Sequence, residues 1–344
     1  MILAPATCSR AHPGSPAVLR RVGVGDRARH PRGVPEGDTI ARLAARIEAG
    51  FAGAPVRSSV FRHPRLALAD LTGARVLGTS SHGKHLFVHF DDLQTLHVHL
   101  LMDGRVRLGA VPSVERDRRR FELHFDGGVI TGVDIPLLHL VPTARVGTFT
   151  DHLGPDVCGV FDPDVAVDRL RSAGPTALSA AVLDQRIVAG FGNIYAVEVP
   201  FICGLSPFTP VASIDGLDSL MAVGTALIRT NAQLGPQNTT GHRLDTGDHF
   251  VLDARNRRCP VCGSPVQRVP GSRSPWRRRT AWCDTCQAED HHRVDGARAQ
   301  RLLALHPARR MLEFSAVDGS DDTPDAQEVT LTADVAVRVT PRQR

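Results

Sequence analysis

Two Cys-x-x-Cys knuckles, Cys259-Pro-Val-Cys262 and Cys283-Asp-Thr-Cys286, lie 20 residues apart and constrain this chain more than any other feature. Two short turns can each aim a pair of thiolates at one tetrahedral Zn²⁺ ion, with the intervening residues folded as a hairpin. Disulfides are the competing reading. The first 33 residues contain no apolar segment suited to a secretory signal, which weighs against an oxidising compartment. Four protein ligands leave no position for water, so the expectation is one structural zinc. Cys8, Cys158 and Cys203 stand alone and read as incidental or core residues.

Charge is concentrated around the same knuckles. Residues 254–282 carry eight arginines and no acid, a stripe suited to neutralising phosphates, with a solvated loop as the bland alternative. The chain as a whole carries +5, but its first 33 residues hold six arginines and one acid, so the remainder is formally neutral. The local stripe is therefore better evidence for nucleic acid than the overall balance. At 344 residues there is room for two or three cores. No apolar run approaches the roughly 20 residues of a membrane span, so a soluble protein is expected.

From Val56 to about Val141 the pattern is that of short strands. Arg75–Leu77, Leu86–Phe90, Leu96–Leu100, Val106–Leu108, Phe121–Phe125 and Val129–Val133 are apolar or alternating runs, broken by Asp91-Asp92, Asp103-Gly104 and Gly127-Gly128. They predict an antiparallel β-sandwich. His85, His89, His97 and His99 fall on alternating positions and are expected to be partner-bonded or solvent-facing. Ahead of the strands, Ile40, Leu43, Ala44, Ile47 and Phe51 form one face of a helix, with Asp38 as its expected N-cap. After about Asp162 the period becomes helical. A helix is predicted over Ala177–Ala189, then a glycine turn, Gly190-Phe191-Gly192, with Asn193 capping the next helix; its free amides could clasp a phosphate, but taken alone the segment reads as an ordinary helix–turn–helix connection.

Lys84 is the only lysine in the chain, against forty arginines. An ammonium is a compact charge that can release a proton, whereas a guanidinium cannot, so a lone lysine marks either a position where arginine is unsuitable or a chance remnant of compositional drift. It follows Gly83 at a turn leading into a strand.

Together, Pro35-Glu36-Gly37-Asp38-Thr39, Gly83-Lys84, Leu153-Gly154-Pro155-Asp156, Asp184-Gln185 through Gly192-Asn193-Ile194-Tyr195 and Glu198, and the four-cysteine ribbon ending in Gln287 occur in a fixed order. This set resembles the formamidopyrimidine-DNA glycosylase/endonuclease VIII family, and more closely its actinobacterial endonuclease VIII branch, over about residues 34–287. The resemblance implies an α+β multidomain fold: an N-terminal helix with an antiparallel β-sandwich, then a helix-two-turn-helix domain with a C-terminal zinc ribbon. It implies a base-excision repair enzyme, a DNA glycosylase and abasic-site lyase acting on oxidised bases, pyrimidines above all. Pro35 would be the nucleophile once its nitrogen is terminal, and Glu36 the acid. Lys84 would hold the phosphate beside the lesion, Asn193 and Arg278 the DNA backbone, and Met102 would enter the duplex. Cys259, Cys262, Cys283 and Cys286 would bind the zinc. The implied partner is damaged DNA, with no membrane, for a monomer in the bacterial cytoplasm at the nucleoid.

Some positions depart from the family pattern. Thr39 replaces a frequent glutamate, Leu252-Asp253-Ala254 replaces Tyr-Gly-Arg, and Arg145-Val146-Gly147 is at best a remnant of an Arg-Phe-Gly wedge. These departures bear on lesion preference. Val34 lies where an initiator would, since a GTG codon reads as methionine at a start, so residues 1–33 are expected to be a mis-annotated start or a disordered leader. The expected domains are 34–150, the catalytic sandwich; 151–250, the helical DNA-binding domain; 251–287, the ribbon; and 288–344, a partly disordered extension. In that extension a helix is predicted over Arg298–Phe314 and disorder over Asp318–Glu328. A non-catalytic module that recognises bent or damaged DNA through the same ribbon is the alternative from a different class.

Overall fold

The computed structural model describes residues 35–241, 248–253, 258–316 and 327–332. The first helix, α1 (Gly37–Phe51), buries Ile40, Leu43, Ala44, Ile47 and Phe51, the face predicted from their spacing. It closes one end of a sandwich of two four-stranded antiparallel sheets. In one, β1 (Ser58–Phe61), β6 (Arg119–Phe125), β7 (Gly128–Val133) and β5 (Arg105–Gly109) are neighbours in that order. In the other, β2 (Val76–His82), β3 (His85–Phe90), β4 (Gln94–His99) and β8 (Leu137–Pro142) are neighbours. Alternation sends Leu86, Val88, Leu96, Val98 and Leu138 inward against Phe61, Phe121, Leu123 and Ile130.

The opposite face of the β2-β3-β4-β8 sheet is also covered, by a 3₁₀ segment at Thr143–Phe149. There the histidines are partner-bonded. His85 Nδ1 lies 2.9 Å from His97 Nε2, and His97 Nδ1 lies 3.3 Å from His139 Nδ1, with Phe149 stacked on His97 at 4.0 Å between ring centroids. Burial pushes both His85 and His97 down to about 3, so the stack is neutral near pH 7.

Beyond residue 151 the described helices, ribbon and extension share a second core. Its axis is α5 (Leu217–Leu234), which is apolar on most sides and packs against α1 and against α2 (Pro163–Arg171). Helix α3 (Leu178–Leu183) is far shorter than the predicted Ala177–Ala189. Gln185 donates to the carbonyls of Leu183 and Phe191 and accepts from Gly190 N, and Asp184 accepts from Arg186 N. These local side-chain bonds replace the helical ladder. Helix α4 (Asn193–Ile202) follows. The ribbon hairpin is β9 (Gln267–Val269) paired with β10 (Thr280–Trp282).

The expected helix over Arg298–Phe314 is three pieces: the end of α6 (Gly296–Leu302), a 3₁₀ turn at Pro307–Met311 and β11 (Leu312–Ala316). Pro307 lacks the N–H that a continuing helix needs. Strand β12 (Gln327–Leu331) pairs with β11 and packs on α5 with Val329 buried. Two residues of the expected disordered stretch, Gln327 and Glu328, therefore belong to a strand, and 318–326 lie outside the described residues.

The histidine stack predicts an acid limb of stability. Unfolded histidines titrate near 6.5 and folded His85 and His97 near 3. The unfolded chain thus binds more protons between those values, and stability falls as pH drops through that window. Calorimetry from pH 7 to pH 4 should show a falling Tm, with a shallower fall for His97→Gln.

Candidate active site and metal centre

The site forms where the start of α1 meets the turn before α4. Gly37 N donates to Gly190 O at 2.9 Å, and a Cβ on Gly37 would stand 2.6 Å from Gly190 Cα. A Cβ on Gly192 would stand 2.2 Å from Glu36 Cδ. Gly37 is required by close backbone approach and Gly192 by the Glu36 side chain lying against it. Glu36, fully buried, is the N-cap residue of α1, yet its carboxylate caps a different helix: Ile194 N donates to Glu36 Oε1 at 2.8 Å. The open helix start expected to receive a phosphate is thus partly filled from within the protein. Glu36 Oε2 is buried without a partner. Desolvation raises this carboxyl to about 7, opposed by Lys84 and by the Ile194 N–H.

Two expected caps are corrected. Gly192, without a side chain, is the N-cap of α4, and Asn193 is its first residue. Asn193 instead donates from Nδ2 to Arg279 O at 2.9 Å, tying the ribbon loop to the start of α4, while its Oδ1 is buried and unpartnered. Asp38 lies inside the first turn of α1, fully buried. It accepts from Tyr195 OH at 2.9 Å, Gln237 Nε2 at 2.9 Å and Thr39 N at 2.6 Å, and Tyr195 OH in turn accepts from Asn231 Nδ2 at 2.8 Å. Arg42 adds a clamp from α1 onto the carbonyls of Asn231 and Gly235 at the end of α5.

Lys84 occupies the two-residue turn between β2 and β3, after Gly83 at φ 55°, a left-handed conformation natural to glycine. His82, at the end of β2, places Nε2 3.1 Å from Gly154 O, which brings the Leu-Gly-Pro-Asp segment to this turn, and the Gly83 N–H works against the burial that raises the Asp156 carboxyl. The lysine is half-buried. Desolvation lowers its pKa, Glu36 raises it and Arg278 lowers it further, so these three groups share one electrostatic neighbourhood. Pro35 immediately precedes Glu36 and is half-buried. Arg278 is exposed on the ribbon loop beside Arg277, which has φ 55°. Met102 is 53% exposed on the turn between β4 and β5. Arg145 and Val146, in the remnant of the second wedge, lie in the 3₁₀ segment and reach solvent.

Sequence reasoning missed the role of Glu198. Fully buried one turn after Ile194 on α4, it accepts from the amides of Phe250, Val251 and Leu252 at 2.6, 2.9 and 2.9 Å and from Thr239 Oγ1 at 2.7 Å. A buried glutamate inside an apolar helix was the available signal. It fixes the segment leading to the first knuckle. The four cysteine sulfurs all lie within 4.8 Å of one another, with Cys262 to Cys283 at 3.5 Å and Cys259 to Cys286 at 3.8 Å. A tetrahedron with bonds of about 2.3 Å has sulfur–sulfur edges of about 3.8 Å, so the four could hold one metal ion.

With the geometry in place, comparison with known proteins is direct. The model of the formamidopyrimidine-DNA glycosylase N-terminal domain matches residues 34–137. A crystal structure of Lactococcus lactis formamidopyrimidine-DNA glycosylase bound to DNA with an abasic site has the same fold: TM-score 0.63 at 22% identity, covering 74% of this chain and 100% of that one. Probable endonuclease 8 2 of Streptomyces coelicolor is 36% identical over 270 residues, 76% of this chain and 97% of that protein. The DNA-(apurinic or apyrimidinic site) lyase Nei2 of Mycolicibacterium smegmatis is 33% identical over 257 residues, 74% of this chain and 99% of that protein. The fold is that of the formamidopyrimidine-DNA glycosylases. The chain belongs to the formamidopyrimidine-DNA glycosylase/endonuclease VIII family.

The glycine contact gives a test of the junction. Gly192→Ala has an allowed backbone angle but no room for its methyl against Glu36. It should destabilise the fold by about 1–3 kcal/mol through overpacking and displace the acid, read by urea unfolding and by loss of base excision.

Proposed function

We propose that this protein is a DNA glycosylase and abasic-site lyase of base excision repair that removes oxidised bases, pyrimidines first, through the amine of Pro35. The observation that carries the reading is Glu36: a fully buried carboxyl raised to about 7, with one oxygen unpartnered, beside the lone lysine and adjacent to the proline. A group poised near the working pH is half acid and half base, as proton relay requires. The names of the relatives support the same class of chemistry.

The chemistry requires the Pro35 nitrogen to be a free secondary amine, which the expected start at position 34 followed by removal of the initiator would provide. Every described element lies within residues 35–332, so a chain beginning at Pro35 keeps them all. A terminal amine titrates near 8, leaving a useful neutral fraction. Its lone pair attacks C1′ of the damaged nucleotide and the base departs; the nitrogen then releases its proton, the C1′–O4′ bond breaks as the ring oxygen takes up a proton, and the C1′–nitrogen linkage becomes an iminium. That cation acidifies the C2′ hydrogen. Proton loss there expels the 3′ phosphate, and a further elimination expels the 5′ phosphate. Glu36 protonates the sugar ring oxygen, Lys84 binds the phosphate beside the lesion, and Asn193 and Arg278 grip the backbone. Met102, exposed on its turn, fills the gap left by the extruded base. The four cysteines hold one structural zinc that stiffens the ribbon carrying Arg278. The protein acts as a monomer on damaged DNA in the bacterial cytoplasm.

Borohydride reduction should trap a covalent adduct between abasic-site DNA and protein beginning at Pro35, and none with a chain in which that nitrogen is an amide. Lack of an adduct with the processed protein, with binding to damaged duplex intact, would favour the non-catalytic module. Trapping across duplexes with oxidised pyrimidines or purines ranks the substrates. Atomic emission should find about one zinc per chain, and Cys283→Ser should lower both the zinc content and duplex affinity; a metal-free, fully DNA-binding protein would remove zinc from the account.

A further inference from the structure

The residues beyond the ribbon have no role in the chemistry above, yet a chain of contacts leads from them to the active site. The family resemblance ends near residue 287, and His306 lies in the extension that follows, buried as the cap of the 3₁₀ turn at Pro307–Met311. Ala308 N donates to His306 Nδ1 at 3.0 Å, so a neutral ring carries its proton on Nε2. Nε2 donates to Asn238 O at 3.1 Å. Burial holds the pKa of this imidazole below its usual value, which favours the neutral ring that these two bonds require. The extension is itself anchored to α5. Val329 N donates to Ser219 Oγ at 3.0 Å, and Thr230 Oγ1 lies 3.4 Å from Met311 Sδ.

Asn238 belongs to residues 235–241, the segment that leaves α5. Its carbonyl also accepts from Asn231 Nδ2 at 2.9 Å, so both lone pairs of that oxygen are used. Its side-chain oxygen accepts from the amides of Thr240 and Gly241 at 2.9 and 2.7 Å, which folds the segment back on itself. Gly241 then lies against the extension: its φ is 75°, and a Cβ on it would stand 2.7 Å from His306 Cα. On the other side of Asn238, Gln237 donates from Nε2 to Asp38 Oδ1 at 2.9 Å. Asp38 is in the first turn of α1, two positions after Glu36 and three after Pro35. A bond to the extension and a bond to the helix of the acid are therefore made by adjacent residues.

We propose that the C-terminal extension is part of the active site, with His306 as a positioning residue: it fixes Asn238, Asn238 presents Gln237 to Asp38, and Asp38 sets the first turn of α1 into which Pro35 and Glu36 lead. The inference rests on the glycosylase reading above. Attack at C1′ requires the amine and the acid to be held together closely, and a displacement of about 1 Å costs about 100-fold in rate. A connecting segment with two glycines at positive φ, Gly235 and Gly241, has little stiffness of its own. His306 supplies the support from outside, so that Gln237, itself only half-buried, stays on Asp38.

The test uses protein beginning at Pro35 with the extension intact. Single-turnover base excision at saturating enzyme reads the positioning of Pro35 and Glu36, and affinity for an uncleavable tetrahydrofuran duplex is measured separately. His306→Ala should slow excision by about tenfold while duplex affinity stays within about twofold, since a group is misplaced and no DNA contact is lost. His306→Gln, whose Nε2 can donate in place of the ring, should recover most of the rate. Gln237→Ala should lose a similar factor, and the two alanine substitutions together should lose little more than either alone, because they interrupt the same line of contacts. Losses that multiply in the double variant overturn the proposal, as does an unchanged rate in His306→Ala. An unchanged rate in Gln237→Ala also overturns it, and that arm holds even where His306→Ala fails to fold. A loss of duplex affinity with the saturated rate unchanged overturns it as well, and makes the extension a DNA-binding element. A parent protein that forms no borohydride adduct with abasic-site DNA instead defeats the glycosylase reading, and this inference with it.

Discussion

The hydrogen bond from Ile194 N to Glu36 Oε1 is the constraint on which the rest depends. It lets one residue serve two helices, preceding α1 and capping α4 with its carboxylate, and so ties α1 to the helical part of the chain. Backbone groups must approach within van der Waals contact for this to occur, which is why Gly37, Gly190 and Gly192 surround it. Asp38, Tyr195, Asn231 and Gln237 form a second buried tie between the same elements. A carboxylate satisfied by several donors can be buried without being expelled, and it fixes the orientation of α1.

The same burial sets the chemistry. Glu36 has one oxygen held and one free, so desolvation is only partly offset and its carboxyl is pushed up to about 7. Glu198, one turn beyond Ile194 on α4, meets four donors and organises a loop instead. Two buried glutamates, one reaching the start of α4 from α1 and one on α4 itself, thus serve different ends: the unsatisfied one can exchange protons, the saturated one stiffens the approach to the ribbon.

Much of this was legible in the residues. Strand alternation from Val56 to Val141 predicted the sandwich, the spacing of Ile40, Leu43, Ala44, Ile47 and Phe51 the buried face of α1, and the paired knuckles the convergence of four sulfurs. Asp38 and Asn193 were misplaced as caps because cap rules use local sequence, whereas the α4 cap comes from Glu36, 158 positions away. Helix α3 ended early because Gln185 found backbone partners that no periodicity reveals. At the end of the acidic stretch only Gln327 and Glu328 were misjudged, because composition does not reveal that they begin β12, whose Val329 is buried against α5. His306 fell on no motif, and only the fold shows that both of its nitrogens are held.

The sparse aromatic residues have a practical consequence. Tyr195 is the chain's one tyrosine and lies in the bonded network with Asp38, while Trp276 and Trp282 both belong to the ribbon and pack on Phe208. Ultraviolet spectroscopy therefore separates the two halves of the machine without any label: tryptophan emission reports the ribbon hairpin, and tyrosine difference absorption reports the junction of the lobes.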